Sequence, residues 1–218
     1  MNTKRIAILG MLCAMAYMLV FIAHLVPIKL VPSVSFLSYD PKDIAIAISG
    51  FLLGPMAALI ITIVVSVLEL LTISTTGWIG LIMNILSTLA FACPAAIIYR
   101  RWRTSRGALF GLICSVLFMT GVMMLWNVLI TPLYMGVDRA VVVGMLIPGF
   151  LPFNLLKGSI NAGITLLLYK PVSKALRSVT KQSEEAESAK SNFPLWIVGS
   201  GILIITITLV LLVYTGVI

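Results

Sequence analysis

The chain has 218 residues, of which 61% are hydrophobic and only 10% are charged. Soluble domains are about a quarter charged, so this composition excludes a soluble globular protein and indicates a protein that crosses a membrane several times. The net charge of +8 does not indicate nucleic acid, because the basic residues cluster at the ends of apolar runs, where membrane orientation requires them.

The apolar runs reach roughly twenty residues without strict alternation, which predicts membrane-spanning helices rather than a barrel. Lipid offers the backbone no hydrogen-bond partners, so the N–H and C=O groups of each span must bond to one another within its helix. Residues 27–40 are too polar and too rich in proline to span, and residues 131–149 form a second long connection. The predicted spans, of which the second is short, cover residues 6–26, 41–53, 56–73, 78–98, 109–130 and 150–169.

Two further segments follow the sixth span. Residues 178–192 are polar and predict a linker. Residues 193–218 form an apolar run without a charge, which predicts an additional, separable transmembrane helix. The expected fold class is therefore all-α: a six-span membrane bundle in residues 1–177, the linker, and one extra C-terminal helix.

The basic residues divide unequally between the two ends of this bundle. One end would carry only Lys29, Lys42 and Arg139, so the positive-inside rule places the other end in the cytoplasm, with the N-terminus and the linker. The loops at 27–40 and 131–149 then face outside. The eleven basic residues on the cytoplasmic side are Lys4, Arg5, Arg100, Arg101, Arg103, Arg106, Lys170, Lys174, Arg177, Lys181 and Lys190.

One face of the first span carries the small residues Ala7, Gly10 and Ala14. Small residues at helical spacing let another helix approach closely in a membrane. That helix could belong to this chain, or it could belong to a separate subunit that docks on this face.

The start of the sixth span places two polar residues where hydrocarbon is expected. Asn154 and Lys157 are three residues apart and share a helix face. A buried ammonium costs at least about 2.5 kcal/mol in a membrane, so it is tolerated where it faces a protein interior, a wet cavity or a partner. We expect the pair to line a ligand pocket; the alternative is that the stem of Lys157 reaches the interface.

Other polar residues of the predicted spans also lie in outer loops or outer halves, whereas the inner halves are nearly all apolar. A channel would be polar along its whole length, and a proton-coupled carrier would place its carboxylates near the midplane. A cup that opens only to the outside, with the outer loops as its lid, fits this pattern. Its candidate residues are Asp40, Asp43, Glu69, Asn84, Asn127, Asn154 and Lys157.

Each candidate also has a purely structural interpretation. Glu69 could pair with Lys157 or cap a loop, and Asn84 and Asn127 could form interhelical hydrogen bonds. The two aspartates could serve only as the negative start of the short helix. The hypothesis of a binding cup therefore depends on the set of residues more than on any one of them.

The chemistry of the cup predicts its ligand class. Amides donate and accept while lysine only donates, which suits a planar heterocycle with carbonyls and ring nitrogens between apolar walls. A solitary carrier and an intramembrane enzyme are the alternatives, but His24 is the single histidine and no paired-carboxylate metal motif or serine–histidine arrangement is apparent. The three cysteines have no metal-ligand spacing. We expect neither catalysis, nor a metal, nor a resident cofactor.

Five motifs carry a family resemblance. The most specific is Pro-Phe-Asn-Leu-Leu-Lys-Gly at 152–158. The others are Leu-Ser-Tyr-Asp-Pro-Lys-Asp at 37–43, Phe-Leu-Leu-Gly-Pro at 51–55, Met-Asn-Ile-Leu at 83–86, and Asn127 followed by Pro-Leu-Tyr at 132–134. With the small residues of the first span, they make residues 5–177 resemble the substrate-capture (S) component of an energy-coupling-factor vitamin transporter, most closely the riboflavin-specific branch.

The resemblance implies six spans, no ATPase in this chain, and capture of riboflavin at the outer face of a bacterial cell membrane. It also implies docking on a transmembrane coupling subunit driven by two ATPase subunits, with Ala7, Gly10 and Ala14 facing the coupling subunit. An S component for another vitamin or small heterocycle is the alternative within the family.

The resemblance assigns roles to residues of the cup as well. Residues matching Asn127, Asn154 and Lys157 would contact the isoalloxazine ring of riboflavin. Outer-loop residues, with Tyr39 among them, would close over the ligand. The seventh span departs from the six-span pattern and leaves open an added regulatory or partner-binding role.

Overall fold

The computed structural model describes residues 3–176 and residue 204. Residues 3–176 form helices joined by turns and loops, with no strand among them. The α-helices are α1 (Thr3–Leu25), α2 (Lys42–Leu53), α3 (Pro55–Thr72), α4 (Gly77–Arg101), α5 (Ser105–Leu129), α6 (Thr131–Met135), α7 (Arg139–Gly144) and α8 (Leu151–Leu176). A 3-10 turn covers Pro32–Val34, and a π-helical turn at Leu146–Phe150 leads into α8.

The prediction of an all-α membrane bundle is confirmed. Within the described part of the chain, five helical segments are long and apolar enough to cross a membrane, and they coincide with α1, α3, α4, α5 and the π turn with α8. Helix α2 has 12 residues, which at 1.5 Å per residue is about 18 Å and shorter than the roughly 30 Å of a bilayer core. The predicted linker at 178–192 and, apart from residue 204, the predicted helix at 193–218 lie outside the described residues.

Helix α2 is short because glycine and proline end it. Gly54 has a φ of 96°, a left-handed conformation that residues with a Cβ rarely adopt, and Pro55 begins α3 immediately afterwards. The helix is buried along almost its whole length between α1, α3, α4 and α8. At Gly50 a Cβ would lie 2.8 Å from that of Ala96, so the absence of a side chain lets α2 approach α4 closely.

The basic residues that the sequence predicts at one end of the bundle are brought together there by contacts between helices. Arg5 Nη2 donates a hydrogen bond of 2.9 Å to the carbonyl of Leu53, which brings the start of α1 to the end of α2. The ring of Phe51 lies 4.5 Å from that of Tyr99 and 5.7 Å from that of Tyr169, which joins the ends of α2, α4 and α8. These contacts gather the arginines that end α4 and the lysines of α8 at one end of the bundle.

The opposite end is covered by the two long connections. Residues 131–149, expected to be a loop, contain α6, α7 and most of the π turn. The loop at 27–40 packs on them, since Val34 lies in one apolar cluster with Val142 and Phe150. Ser33 Oγ donates a hydrogen bond of 3.0 Å to the carbonyl of Pro148. The two connections therefore form one packed layer over this end.

Candidate ligand-binding site

A cavity of about 250 Å³ lies at the end of the bundle opposite the basic residues. The ends of α1, α3 and α5, the first halves of α4 and α8, and the loop at 27–40 form its walls. It reaches the surface, because the exposed residues His24 and Phe36 are part of its lining. Its apolar surface includes Met83, Met123 and Phe153.

Most of the candidate residues meet around this cavity. The lining includes Tyr39, Asp40, Glu69, Asn84, Asn127, Asn154 and Lys157. Asp43 is the exception: it is 1% exposed and lies behind the cavity wall. Asp43 is therefore not part of the lining of this cavity, and contact of any of the eight residues with a ligand stays a prediction.

Asp43 holds Lys157 in place. Lys157 Nζ lies 3.1 Å from Asp43 Oδ2, and the side chain of Lys157 is 9% exposed. Thr88 donates a hydrogen bond of 2.7 Å to Asp43 Oδ1. Because the ammonium is paired inside the bundle, the alternative in which Lys157 reaches the interface is wrong. Asp43 does more than begin a helix, since it is the counterion of a cavity residue.

A second buried cation stands beside the first. Lys42 Nζ lies 2.7 Å from Asp40 Oδ2 and 2.7 Å from Glu69 Oε1, and the whole residue is 0% exposed. Asn84 donates a hydrogen bond of 2.7 Å to Glu69 Oε2, which is the interhelical bond expected of it. The suggested pairing of Glu69 with Lys157 is wrong, because Glu69 pairs with Lys42.

Two residues of the loop at 27–40 have shifted pKa values. Burial, followed by the negative charges of Asp43 and Asp40, raises the pKa of Tyr39 above its ordinary value, so its hydroxyl stays protonated and can donate. Burial alone would raise the pKa of Asp40, but the positive charges of Lys42 and Lys157 hold that pKa below its usual range. Asp40 is therefore a carboxylate at neutral pH.

The two remaining asparagines bond to groups four residues away along the chain. Asn127 Nδ2 donates to the carbonyl of Met123 at 2.7 Å, and its Oδ1 accepts from Thr131 at 2.8 Å. Asn154 Nδ2 donates to the carbonyl of Phe150 at 2.8 Å. Thr131 is the first residue of α6, so Asn127 does bond between helices, although only to the short helix that follows its own. A carboxamide carries two amide hydrogens, so each of the two retains one for a ligand.

The charges of the site nearly balance. Two ammonium groups face three carboxylates, and all five belong to ion pairs. The charged groups thereby satisfy one another, while neutral amides and apolar side chains complete the lining. No group of three or more metal-ligating residues occurs among the described residues. Such a cavity can hold a polar, uncharged or weakly charged ligand.

The family follows from comparison with known proteins. The family described as "ECF transporter, substrate-specific component" matches residues 4–169. The chain belongs to this family. As an S component it is a transport subunit rather than an enzyme, and it is a multi-pass membrane protein.

Several relatives of this S component have names. It is 29% identical over 184 residues to riboflavin transporter RibU of Staphylococcus aureus, covering 82% of this chain and 95% of the relative. It is 23% identical over 178 residues to riboflavin transporter FmnP of Bacillus subtilis, covering 78% and 92%. A solved structure described as the S component of a bacterial ECF transporter matches with a TM-score of 0.67 and 28% identity, covering 81% of this chain and 99% of that one.

Some residues of the S component's site are missed by sequence reasoning. Lys42 has no assigned role in the sequence beyond a loop charge, yet it is the most buried cation of the site. Ser87 and His24 line the cavity, and Asn161 bridges the loop to α8. One signal was available: Asn161 follows Lys157 by four residues and therefore shares its helix face.

The small residues of α1 lie on the surface of the S component. Ala7, Gly10 and Ala14 are all exposed, whereas Leu12 and Ala16 on the other face are buried in the core. A Cβ built at Gly10 would meet none of the described residues within 4 Å. The alternative in which this face packs on the chain's own helices is wrong within residues 3–176, and docking on a partner stays a prediction.

Proposed function

We propose that this S component captures riboflavin in the cavity and delivers it inward with a transmembrane coupling subunit and two ATPase subunits. The observation that carries the proposal is that Asn127, Asn154 and Lys157 line the same cavity as several apolar side chains. The relatives named as riboflavin transporters from three organisms favour the same substrate.

The donors of the lining suit the isoalloxazine ring. Asn127 and Asn154 each retain an amide hydrogen, and Lys157 has three donors, of which Asp43 and Ser87 use two. The ring carbonyls and nitrogens of a flavin are acceptors that such groups can reach. Phe153 and the methionines offer apolar contact with the flat faces.

The side of capture follows from charge. The end of the bundle opposite the cavity carries Arg5, Arg100 and Lys170, and the positive-inside rule favours the cytoplasm for that end. The N-terminus would then be cytoplasmic, and the cavity would open at the outer face of a bacterial cell membrane. The exposed small residues of α1 offer the coupling subunit a close helix–helix contact.

A binding measurement tests the substrate. The full chain, purified in detergent, is expected to retain a yellow flavin and to quench the fluorescence of added riboflavin with nanomolar affinity. Other water-soluble vitamins serve as controls. If riboflavin fluorescence stays unchanged while another vitamin binds, the substrate is wrong and the family assignment stands.

A further inference from the structure

Asn161 is a buried residue behind the cavity whose side chain makes three hydrogen bonds. It lies on α8, one turn beyond Lys157, and is 1% exposed. Its Oδ1 accepts a hydrogen bond of 2.7 Å from the hydroxyl of Tyr39. Its Nδ2 donates to the carbonyl of Asp40 at 3.2 Å and to Asp43 Oδ2 at 3.3 Å. The residue does not line the cavity itself.

We propose that Asn161 is a positioning residue for ligand binding, which sets the cavity wall formed by Tyr39 and Asp40 and the counterion of Lys157 at the same time. This inference rests on the proposed function only for the identity of the ligand. Neither the cavity lining nor the family resemblance assigns a role to Asn161.

The three hydrogen bonds explain why an asparagine stands at this position. One carboxamide supplies an acceptor and two donors, and Asn161 uses both kinds of group. Tyr39 and Asp40 belong to the outer loop, and Asp43 to the first turn of α2. An apolar side chain would strand a phenol, a carbonyl and part of a carboxylate in a buried place, which costs more than the bonds themselves contribute.

The contacts of Asn161 couple the loop to the buried ion pair. Asp43 Oδ2, which accepts from Asn161, is the same atom that lies 3.1 Å from Lys157 Nζ. A shift of the loop at Tyr39 or Asp40 therefore changes the hydrogen bonding of the atom that holds the cavity lysine. Asn161 touches no ligand in this scheme, and its effect on binding passes through Tyr39, Asp40 and Lys157.

The test compares four full-length variants in detergent: Asn161→Leu, Tyr39→Phe, the double variant, and Thr165→Val as control. Thr165 follows Asn161 by one turn of α8 and is 0% exposed, and its hydroxyl has no hydrogen-bond partner among the described residues. The control thus removes a buried polar group from the same helix without breaking a contact to the loop.

The first readout needs no ligand. Hydrogen–deuterium exchange of residues 35–40, which include the bond from Tyr39 N to the carbonyl of Ile28, is expected to be faster in Asn161→Leu and, to a smaller extent, in Tyr39→Phe. Thr165→Val should exchange as the wild type does. Tyr39→Phe removes one hydroxyl from a half-buried side chain, so it keeps the test informative if Asn161→Leu does not fold.

The second readout is riboflavin affinity. Asn161→Leu is expected to weaken binding by about tenfold or more, and Tyr39→Phe by less. The double variant should bind no more weakly than Asn161→Leu, because both changes break the same bond. If Asn161 only stabilised the fold, Asn161→Leu would lower the melting temperature. The affinity changes of the two single variants would then multiply in the double variant.

The outcomes separate this inference from the proposed function. If the wild type binds no riboflavin, the substrate is wrong, and faster exchange at residues 35–40 still supports the positioning role. If the wild type binds riboflavin while exchange and affinity in both variants match the wild type, the positioning role is refuted. Multiplicative effects on affinity would refute it as well.

Discussion

The ammonium of Lys157 lies 3.1 Å from Asp43 Oδ2, and the side chain of Asp43 is only 1% exposed. Lys157 lines the cavity, whereas Asp43 lies behind it. Lys157 is therefore placed to contact a ligand directly, whereas we expect Asp43 to affect a ligand only through Lys157.

This arrangement predicts that substitutions of Lys157 and Asp43 change riboflavin affinity and thermal stability separately. Lys157→Met is expected to weaken riboflavin binding by about 1–3 kcal/mol and to lower the melting temperature, because Asp43 becomes a buried carboxylate without its partner. Adding Asp43→Asn removes that charge, so the double variant should regain part of the melting temperature but none of the affinity. Fluorescence titration and thermal unfolding in detergent measure the two effects, and wild-type affinity in the double variant would remove Lys157 from the ligand site.

Asp40 gives a prediction about pH. Although burial opposes its ionisation, Lys42 and Lys157 hold its pKa below the ordinary value. A carboxyl whose pKa is lowered by folding stabilises the folded state above its unfolded pKa of about 3.9, and the contribution is lost as the pH falls through the folded pKa. Asp40→Asn should therefore lower the melting temperature at neutral pH, and its difference from the wild type should shrink below about pH 4. A difference independent of pH would contradict the role of the charge.

The sequence predicts the positions of the candidate residues better than their partners. Asn154 and Lys157 share a helix face by spacing alone, and six of the seven candidates found from their position in the spans line the cavity. The pairing of Glu69 with Lys42 could not be predicted, because it depends on how deeply the short helix α2 sinks between its neighbours. Tertiary packing, and not local pattern, decides which of two lysines meets a given carboxylate.

The connections were harder to predict than the spans. Long apolar runs indicate helices by themselves, and the bounds of α2 and α3 differ from prediction by one residue. The stretch at 131–149 lacks such a run, and α6 and α7 have five and six residues. Helices this short are marginal in isolation and form because Val142 and Phe150 pack on the loop at 27–40.

The close contact of α2 with α4 predicts that alanine substitutions of two glycines change the stability of the fold differently. Gly50→Ala would place a Cβ 2.8 Å from that of Ala96, and overpacking of this kind costs about 1–3 kcal/mol. Gly121→Ala in α5 would meet nothing within 4 Å in the part of the chain that the structure describes, so it should be neutral or stabilising by up to about 1 kcal/mol through helix propensity. Melting temperatures of the two variants measure the difference, and equal values would show that α2 and α4 are not held together at Gly50.

The exposed small residues of α1 predict that a substitution there can weaken assembly with the coupling subunit without changing riboflavin binding. Gly10→Leu adds bulk where a built Cβ meets no described residue within 4 Å, so riboflavin affinity should match the wild type. Co-purification with the coupling subunit and its ATPases should fall by about tenfold or more, since one misfit of 1–3 kcal/mol at a packed contact has that effect. Met15→Trp is the control, because Met15 is also exposed but points about 100° away from Ala14 around the helix.

Helices in a membrane gain little from hiding apolar surface from lipid, so their association depends on how closely the backbones can approach. A leucine at position 10 would hold a partner helix away, whereas a tryptophan at position 15 would only displace lipid. Equal co-purification of both variants with the coupling subunit would mean that another surface of the chain docks. Loss of riboflavin binding in Gly10→Leu would mean that α1 transmits strain to the cavity through Val20 and His24 at its far end.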